Sequence, residues 1–313
     1  MLRQNNETDH PRVSIGLPVY NGENFIQETL DSLLAQTFPN FELIICDNAS
    51  TDNTETICQE YSTKDKRIRY YRNSKNLGAA KNYNRTFELS TAQYFKWAAH
   101  DDLCAPEFLE RCVEILDSYP SVILCYPQEH WIDENGNIIK TNSDLLNLRS
   151  PKATQRFKQY HDIWHQRGYM PAMVFGLIRA NELNKTKLIE EYIWADLPLC
   201  AELALRGEFY EIPEYLFFYR YHSQTSRAIR KKSGGSGLLA WYNPNHKKAI
   251  TMVNWTIFLQ YLKVINRVPL SWSAKAYCYG QMVRWVSWKW KRLGWELLRT
   301  ALQLPRTLLV HSR

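Results

Sequence analysis

No stretch of about 18 or more apolar residues occurs in the chain, so no helix is expected to span a bilayer. The opening MLRQNNETDH is polar and lacks the apolar centre of a secretory signal. There is no Cys-x-x-Cys pair and no zinc-like cluster. The seven cysteines are an odd number, and Cys46, Cys125 and Cys200 sit inside apolar runs. That pattern predicts reduced, buried thiols and a reducing compartment. A Walker loop, Gly-x-Gly-x-x-Gly and Gly-x-Ser-x-Gly are all missing, which weighs against ATPases, dinucleotide enzymes and serine hydrolases. No nucleic-acid motif accompanies the excess of 39 Lys+Arg over 32 Asp+Glu. A formal +7 suits anionic ligands such as sugar diphosphates, or an anionic membrane surface.

What is present is ordinary globular material. The 313 residues are 45% hydrophobic and 23% charged, enough for one large domain or two smaller ones. From Val13 to about Cys125, short apolar runs alternate with helical stretches. Strands are predicted at Val13–Pro18, Phe41–Cys46, Ile68–Tyr71, Tyr94–Trp97 and Val122–Tyr126. Helices are predicted at Phe25–Thr37, from a capping box of Asp52 and Glu55 to Tyr61, at Ala79–Leu89, and from Pro106 to Ser118. This rhythm predicts an α/β fold with a mostly parallel sheet flanked by helices. Beyond Tyr126 the rhythm changes. Asn135-Gly136 signals a hairpin, 141–170 reads as helical and polar, and Ala172–Arg179 as a strand. Asp196–Arg206 reads as a helix closed by Gly207, and Phe209–Ile212 and Leu216–Tyr221 as late strands. Ser233–Gly237 reads as a flexible loop, and 246–313 as a helical, Trp-rich, basic extension.

In an open parallel sheet, ligands bind beyond the carboxyl ends of the strands. Three such ends carry acids and amides: Pro18–Gly22, Asp47–Asp52 and His100–Asp102. Adjacent carboxylates at a buried strand end are explained by a hard divalent cation, so Asp101-Asp102 is the candidate metal site; the plain alternative is a helix N-cap before Pro106. Asp47 is placed to accept a nucleobase N–H or to hold a turn. Asn76-Leu77-Gly78 leads into a helix whose N-terminus can offer N–H groups to phosphate, with Lys81 adding charge. Asp196 opens a helix, as an N-cap or as a general base, with Glu202 the fallback base. His222 either completes the metal or diphosphate site or is structural. His161 and His165 have i,i+4 spacing, but no His-Glu-x-x-His and no nearby third ligand occurs, so a structural role is favoured.

The stretch VSIGLPVYNGENFIQETLDSLLAQTFPNFELIICDNASTDNT, followed by NLGAAKNYNRTFE, resembles the inverting family-2 glycosyltransferases of the Rossmann-like GT-A fold. The match is strong over 12–125 and weaker to about 226. The resemblance implies a donor-binding part at 12–126, an acceptor and catalytic part at 127–232, and the helical extension at 233–313. It assigns Pro18, Tyr20, Asn21, Asp47, Asn76, Gly78, Lys81 and Asp101 to the donor, Asp101, Asp102 and His222 to a divalent cation (Mn2+ or Mg2+), and Asp196 to catalysis as the base. The family's Asp-x-Asp-Asp begins here with Ala99; its Asp-Asp after the second strand is Asp47-Asn48; its Glu-Asp is Ala195-Asp196; and its Ala-Arg-Asn is altered, with Tyr83-Asn84 or Lys81-Asn82 in its place, leaving an Arg–phosphate contact without an obvious carrier.

The implied reaction is transfer of a sugar from a nucleotide-diphosphate sugar, a UDP-sugar being the family's commonest donor, to a hydroxyl of a carbohydrate or lipid-linked glycan, with inversion, in polysaccharide synthesis at a cytoplasmic location or the inner membrane face. Two rival readings are a sugar nucleotidyltransferase, which usually opens with a Gly-rich basic loop absent here, and an inactive glycan-binding protein on the same fold. Trp131, Trp164, Trp194 and Trp241 are candidate sugar-stacking rings, though core packing is the commoner role. In 284–313, seven basic residues (Arg284, Lys289, Lys291, Arg292, Arg299, Arg306, Arg313) face a single Glu296 and interleave with Trp285, Trp288, Trp290 and Trp295. Such a segment suits an anionic membrane interface or a helix packed on the core with a solvated basic face.

Overall fold

A computed structural model describes residues 10–141, 148–168, 171–225, 228–229, 232, 238–242 and 252–308. The loop expected at Ser233–Gly237 and the basic Arg313 lie outside the described residues, as does the side chain of Arg306.

The first four strands are β1 (Val13–Val19), β2 (Phe41–Asp47), β3 (Ile68–Arg72) and β4 (Tyr94–Trp97). Every residue of β1, β2 and β4 is buried, as expected of parallel strands covered on both faces. They pair in parallel in the order β3-β2-β1-β4. Helix α1 (Ile26–Leu34) buries Ile26, Leu30 and Leu33 along one face, a stripe worth about 1.5–3 kcal/mol per side chain. Helices α2 (Thr54–Lys64), α3 (Ala79–Glu88) and α4 (Phe108–Ser118) complete the crossovers. The short β5 is Leu103–Cys104.

The predicted Asp52–Glu55 capping box does not form. Asp52 Oδ1 accepts from the Thr54 N–H (3.1 Å) and Oδ2 from the Glu23 N–H (3.1 Å), while the Glu23 carboxylate accepts from the Asn53 N–H (2.9 Å). The reciprocal acid therefore comes from the β1–α1 loop. Glu55 instead pairs with Arg72 (3.3 Å).

The second half extends the same sheet. β6 (Val122–Ile132) and β7 (Ile138–Thr141) make the hairpin signalled by Asn135-Gly136, with Gly136 at φ +83°. α5 (Ala153–Arg167) follows. The span predicted as one strand from Ala172 splits into α6 (Pro171–Val174) and β8 (Leu177–Arg179), and the turn α7 (Ala180–Leu183) follows. α8 (Asp196–Arg206) ends at Gly207 as predicted. The two late strands are one strand, β9 (Glu208–Arg220), which pairs in parallel with β6. The register shifts at Pro127, and Pro213-Glu214 have no β6 partner, so the apparent break is a bulge. The order is β3-β2-β1-β4-β8-β6-β9-β5, with β8 antiparallel to both neighbours, β5 antiparallel to β9 and β7 on β6. The result is a mixed sheet flanked by helices.

The C-terminal region is helical: α9 (Val253–Arg267) and α10 (Trp272–Leu308). Glu296 caps α9, its carboxylate accepting from the Asn254 N–H (3.0 Å) and Asn254 Nδ2 (2.6 Å), and Trp285 is buried against Tyr261 and Phe258. All seven cysteines are free and buried, and among the described residues no helix is long and apolar enough to cross a membrane.

Ala49, in the loop after β2, sits at φ +63°, a conformation that costs an L-residue about 1–2 kcal/mol. Ala49→Gly is expected to raise stability by roughly 0.5–1 kcal/mol, glycine's extra freedom when unfolded offsetting part of the relief. A urea titration reads this as a higher midpoint at unchanged slope; a midpoint that stays or falls contradicts it.

Candidate active site

One cavity of about 720 Å³ opens beyond the carboxyl ends of β1, β2 and β4 and runs on to α5, α8, α9 and α10. Pro18, Tyr20, Asn76, Asp101, Asp102 and Asp196 line it. Asn21, Asp47, Gly78, Lys81 and His222, expected in the site, do not line it, and His222 faces a separate hollow with Asp133 and Glu134. Asn21, at φ +52°, accepts from the Thr51 N–H (2.8 Å) and donates its own N–H to Ser50 Oγ (3.0 Å), tying the β1 and β2 loops together. Asp47 is fully buried. Its oxygens accept from the Ser50 N–H (2.8 Å), the Tyr70 hydroxyl (2.9 Å) and Arg72. The amides that face the cavity at this strand end are Asn48 and Asn76, joined by a 2.9 Å hydrogen bond. Asn76 also accepts the Gly78 N–H (2.8 Å) at the entrance to α3, where Gly78 has φ +88°. Lys81 pairs with Glu191 (3.2 Å).

The acid pair is the most constrained part. Asp102 Oδ1 accepts the Arg220 N–H (2.8 Å), while Oδ2 is buried with no partner. Burial first, and Asp101's charge second, push the Asp102 carboxyl well above the usual range. Asp101 goes the other way. Against its own burial, the nearby His100 and the hydrogen bond from His222, Nε2 to Oδ2 at 2.7 Å, hold its carboxyl below the usual range. A buried, unpartnered carboxylate oxygen beside a second carboxylate is the donor set a hard cation takes, so the residues fit a divalent ion. The third acid of the family pattern is absent: Ala99 offers the cavity a methyl group, and among the described residues no group of three His, Cys, Asp or Glu stands ready as a metal cluster.

Two buried cations hold this corner. Arg220 donates Nε to the Asp101 carbonyl (2.9 Å), Nη1 to the Glu134 carbonyl (3.0 Å) and Nη2 to Glu28 (2.6 Å), and lies 4.8 Å from the Phe25 ring centre. Lys96, from the middle of β4, donates Nζ to the Phe175 carbonyl (2.5 Å) and its charge favours ionised Asp102.

Asp196 is the first residue of α8, with Ala195 as the cap, so its side chain is left to face the cavity. Burial raises its carboxyl to about 6, partly opposed by the N–H groups of the first helical turn. Trp194 enters this helix at φ +64°, strained for a bulky residue, and its N–H donates to the Tyr242 hydroxyl (3.2 Å). Tyr83 lines the same cavity, and its hydroxyl is raised well above its usual value by burial first and then by the charges of Asp101, Asp102 and Asp196.

Sequence and fold comparisons place the chain in a known family. The family model described as glycosyl transferase family 2 matches residues 14–180, more than half of the chain. The chain belongs to glycosyl transferase family 2. An uncharacterized glycosyltransferase of Haemophilus influenzae is 28% identical over 282 residues, 83% of this family-2 chain and 79% of the relative. One from Rickettsia typhi is 39% identical over 127 residues, 40% of this chain and 38% of the relative, so that match spans well under half of the relative's length. Among solved structures, Staphylococcus aureus TarS with UDP-GlcNAc superposes at a TM-score of 0.56 with 17% identity, covering 82% of this chain and 72% of that one. The mannosyltransferase PcManGT from Pyrobaculum calidifontis, in complex with GDP-Man and Mn2+, gives 0.53 with 14% identity, covering 95% and 87%. At these identities the likeness is one of fold, the GT-A type.

The far wall of the family-2 cavity contains residues given other roles on sequence grounds. Trp164, Trp194 and Trp241 line it; Trp131 does not, donating Nε1 to Glu129 (2.8 Å). The fallback base Glu202 is buried in ion pairs with Arg206 (2.7 Å) and Arg267 (2.6 Å) and is structural. His165 lies flat on Trp288 (4.1 Å between ring centres), while His161 packs edge-on against Phe157 and Tyr261, so the two do not converge on a metal. Arg220 and Lys96 were missed as site residues. Their signals were the Arg-x-His spacing before His222 and a lysine inside the apolar run Tyr94–Trp97. Arg220→Met is expected to cost on the order of 3 kcal/mol, because the Asp101 and Glu134 carbonyls lose their donors. Arg220→Lys should recover less than half of that, lacking the fork. Urea unfolding measures both, and a loss under about 1 kcal/mol for the methionine variant would contradict the assigned role.

Proposed function

We propose that this protein transfers a sugar from a nucleotide-diphosphate sugar to an acceptor hydroxyl with inversion, with Asp196 as base. The observation that carries the reading is the shared cavity, lined by an acid pair at the β4 end, by Tyr83 and by a single carboxyl at the start of α8 raised to about 6. The base and sugar of the donor would lie along Pro18, Tyr20, Asn48 and Asn76, with the Gly78 turn and the open start of α3 facing the diphosphate. Asp47, its oxygens already engaged by Tyr70, Arg72 and Ser50, would shape the nucleobase pocket from behind and meet the base only if Arg72 gave way. A divalent cation held by Asp101 and Asp102, with His222 orienting Asp101, would neutralise charge on the leaving diphosphate. Asp196 accepts the proton of the acceptor hydroxyl, whose oxygen attacks the anomeric carbon from the side opposite the leaving group. No covalent enzyme intermediate is required. A UDP-sugar is the first donor to try, the TarS structure holding UDP-GlcNAc on the same fold, with GDP-mannose second. By this reading 12–126 binds donor, 127–232 contributes catalysis and acceptor contacts, and the helical extension closes the cavity.

Binding and hydrolysis across UDP-, GDP- and dTDP-sugars with Mn2+ test the assignment. Asp102→Ala should abolish metal-dependent binding, and Asp196→Asn should bind donor but turn over at least about 100-fold more slowly. Failure of any nucleotide sugar to bind would leave the fold serving glycan recognition instead. The pH profile provides a second check. The base works only when ionised, so kcat should fall below about pH 6. The stability sign is opposite. A carboxyl raised from its ordinary value near 4 favours the folded state at low pH and loses that contribution as pH rises through its folded value. Asp196→Asn should therefore gain on wild type in Tm as pH rises from about 4 to 7; a flat difference would show that the carboxyl is not held up.

The outer face of α10 supports a membrane contact. Trp290, Trp295, Leu298 and Leu302 are exposed there, together with Lys291 and Arg299. Peripheral binding to anionic lipid would bring the site to a lipid-linked glycan at the inner membrane face. Sedimentation with anionic vesicles should drop at least several-fold in the double variant Trp290→Ser, Trp295→Ser, and equal sedimentation would remove the contact.

A further inference from the structure

The two ends of the cavity carry opposite charge. At the β4 end stand Asp101 and Asp102; at the other, α10 presents Lys289 and Arg292 to the cavity. The packing of the elements orders the groups between them. The acid pair stands at the β4 end, Asp196 opens α8, and α8 packs on α5 and α9. α10 packs on those same two helices, with Tyr261 of α9 6.0 Å from Trp285 and His165 of α5 stacked on Trp288. From the cations, Asp196 is therefore reached by way of α5 and α9. In a single displacement the base sits on the acceptor's side of the reacting carbon, so the cations fall on the acceptor side too.

Among the described residues neither cation has an acidic partner, and Arg292 is exposed. Lys289 is half-buried, and its ammonium is pushed down by that burial and by the neighbouring Arg292. Nearby acids are committed elsewhere: Glu296 caps α9, and Asp162 pairs with Arg284 and Lys158 (2.7 Å each). Among the described residues no ion pair reaches Lys289 or Arg292. Two uncompensated cations three residues apart share one helix face and match a group carrying about two negative charges, as a diphosphate does. His161, on α5, lines the same cavity and packs on Tyr261; it is neutral because burial holds it down to about 3, and both its ring nitrogens lack a partner. A buried polar group left unsatisfied is costly, and a hydroxyl-bearing ligand would relieve it.

We propose that Lys289 and Arg292 seat a phosphate or diphosphate group of the acceptor, with His161 and the Trp288 edge flanking the sugar that joins it to the attacking hydroxyl. The proposal rests on the transferase reading above and narrows its acceptor to an anionic, phosphate-bearing glycan. The phosphate has two possible sources, a lipid diphosphate anchor or a phosphate within a soluble glycan.

Titration calorimetry with inorganic pyrophosphate, in EDTA so that the acid pair cannot hold it through a cation, tests the seat directly. Wild type should bind, and Lys289→Gln with Arg292→Gln should weaken binding about tenfold or more while leaving Tm unchanged. UDP binding in Mn2+ should stay within about twofold, since donor contacts are at the other end. No pyrophosphate binding by wild type at millimolar concentration, or equal binding by the double variant, overturns the proposal. So does a parallel loss of UDP affinity, which would assign the cations to the donor. Failure of wild type to bind any nucleotide sugar would instead defeat the transferase reading, whatever pyrophosphate does. Farnesyl diphosphate separates the sources: tighter binding than pyrophosphate supports a lipid anchor, and equal binding supports a phosphate recognised by charge alone. His161→Phe should keep the fold and pyrophosphate binding, while raising the KM of a phosphate-bearing acceptor.

Discussion

The buried guanidinium of Arg220 holds the chemistry of this molecule in place. It comes from the last residue of β9, yet it reaches the β4 loop through the Asp101 carbonyl, the β6–β7 hairpin through Glu134 and α1 through Glu28, while its own N–H fixes Asp102. Three segments distant in sequence meet on one side chain of β9. A lysine, with three rotating donors and no planar fork, could not address them together. Positioning His222 two residues beyond Arg220 then sets the hydrogen bond to Asp101. The acid pair is oriented before any ligand arrives.

This corner also explains why adjacent carboxylates are divided in character. Asp101 has His100 and His222 for support and stays ionised; Asp102 is deeper, has one oxygen unpartnered and feels its neighbour's charge. Farther along the cavity, Asp196 owes its raised value to burial, with no charged neighbour needed. Each acid's behaviour follows from where its strand or helix ends.

The sequence made the N-terminal half readable because each strand there is a continuous apolar run ended by polar residues, and parallel crossovers leave few alternatives. Asp101, Asp102, Asp196 and Tyr20 do reach one cavity. Less legible were features settled by long-range pairing. Pro213 looked like the end of a strand and is a bulge in β9; Ala172–Arg179 looked uniformly extended and begins with a helical turn. Asp47 could be read as a nucleobase contact or as a turn residue; it accepts the Ser50 N–H and is enclosed by Tyr70 and Arg72 from β3. The C-terminal helix offered either a membrane face or a packed one. It buries Trp285, exposes Trp290 and Trp295 and turns Lys289 and Arg292 to the cavity, a division among faces that composition alone does not resolve.

The position of Lys96 has a further consequence. Its ammonium is built into β4, hydrogen-bonded to the Phe175 carbonyl and next to Asp102, so positive charge beneath the acid pair is part of the polypeptide itself. Arg220 adds its backbone N–H to Asp102 and its guanidinium to the Asp101 carbonyl. The lysine thus ties the interior of the sheet to the charge state of the acid at its edge.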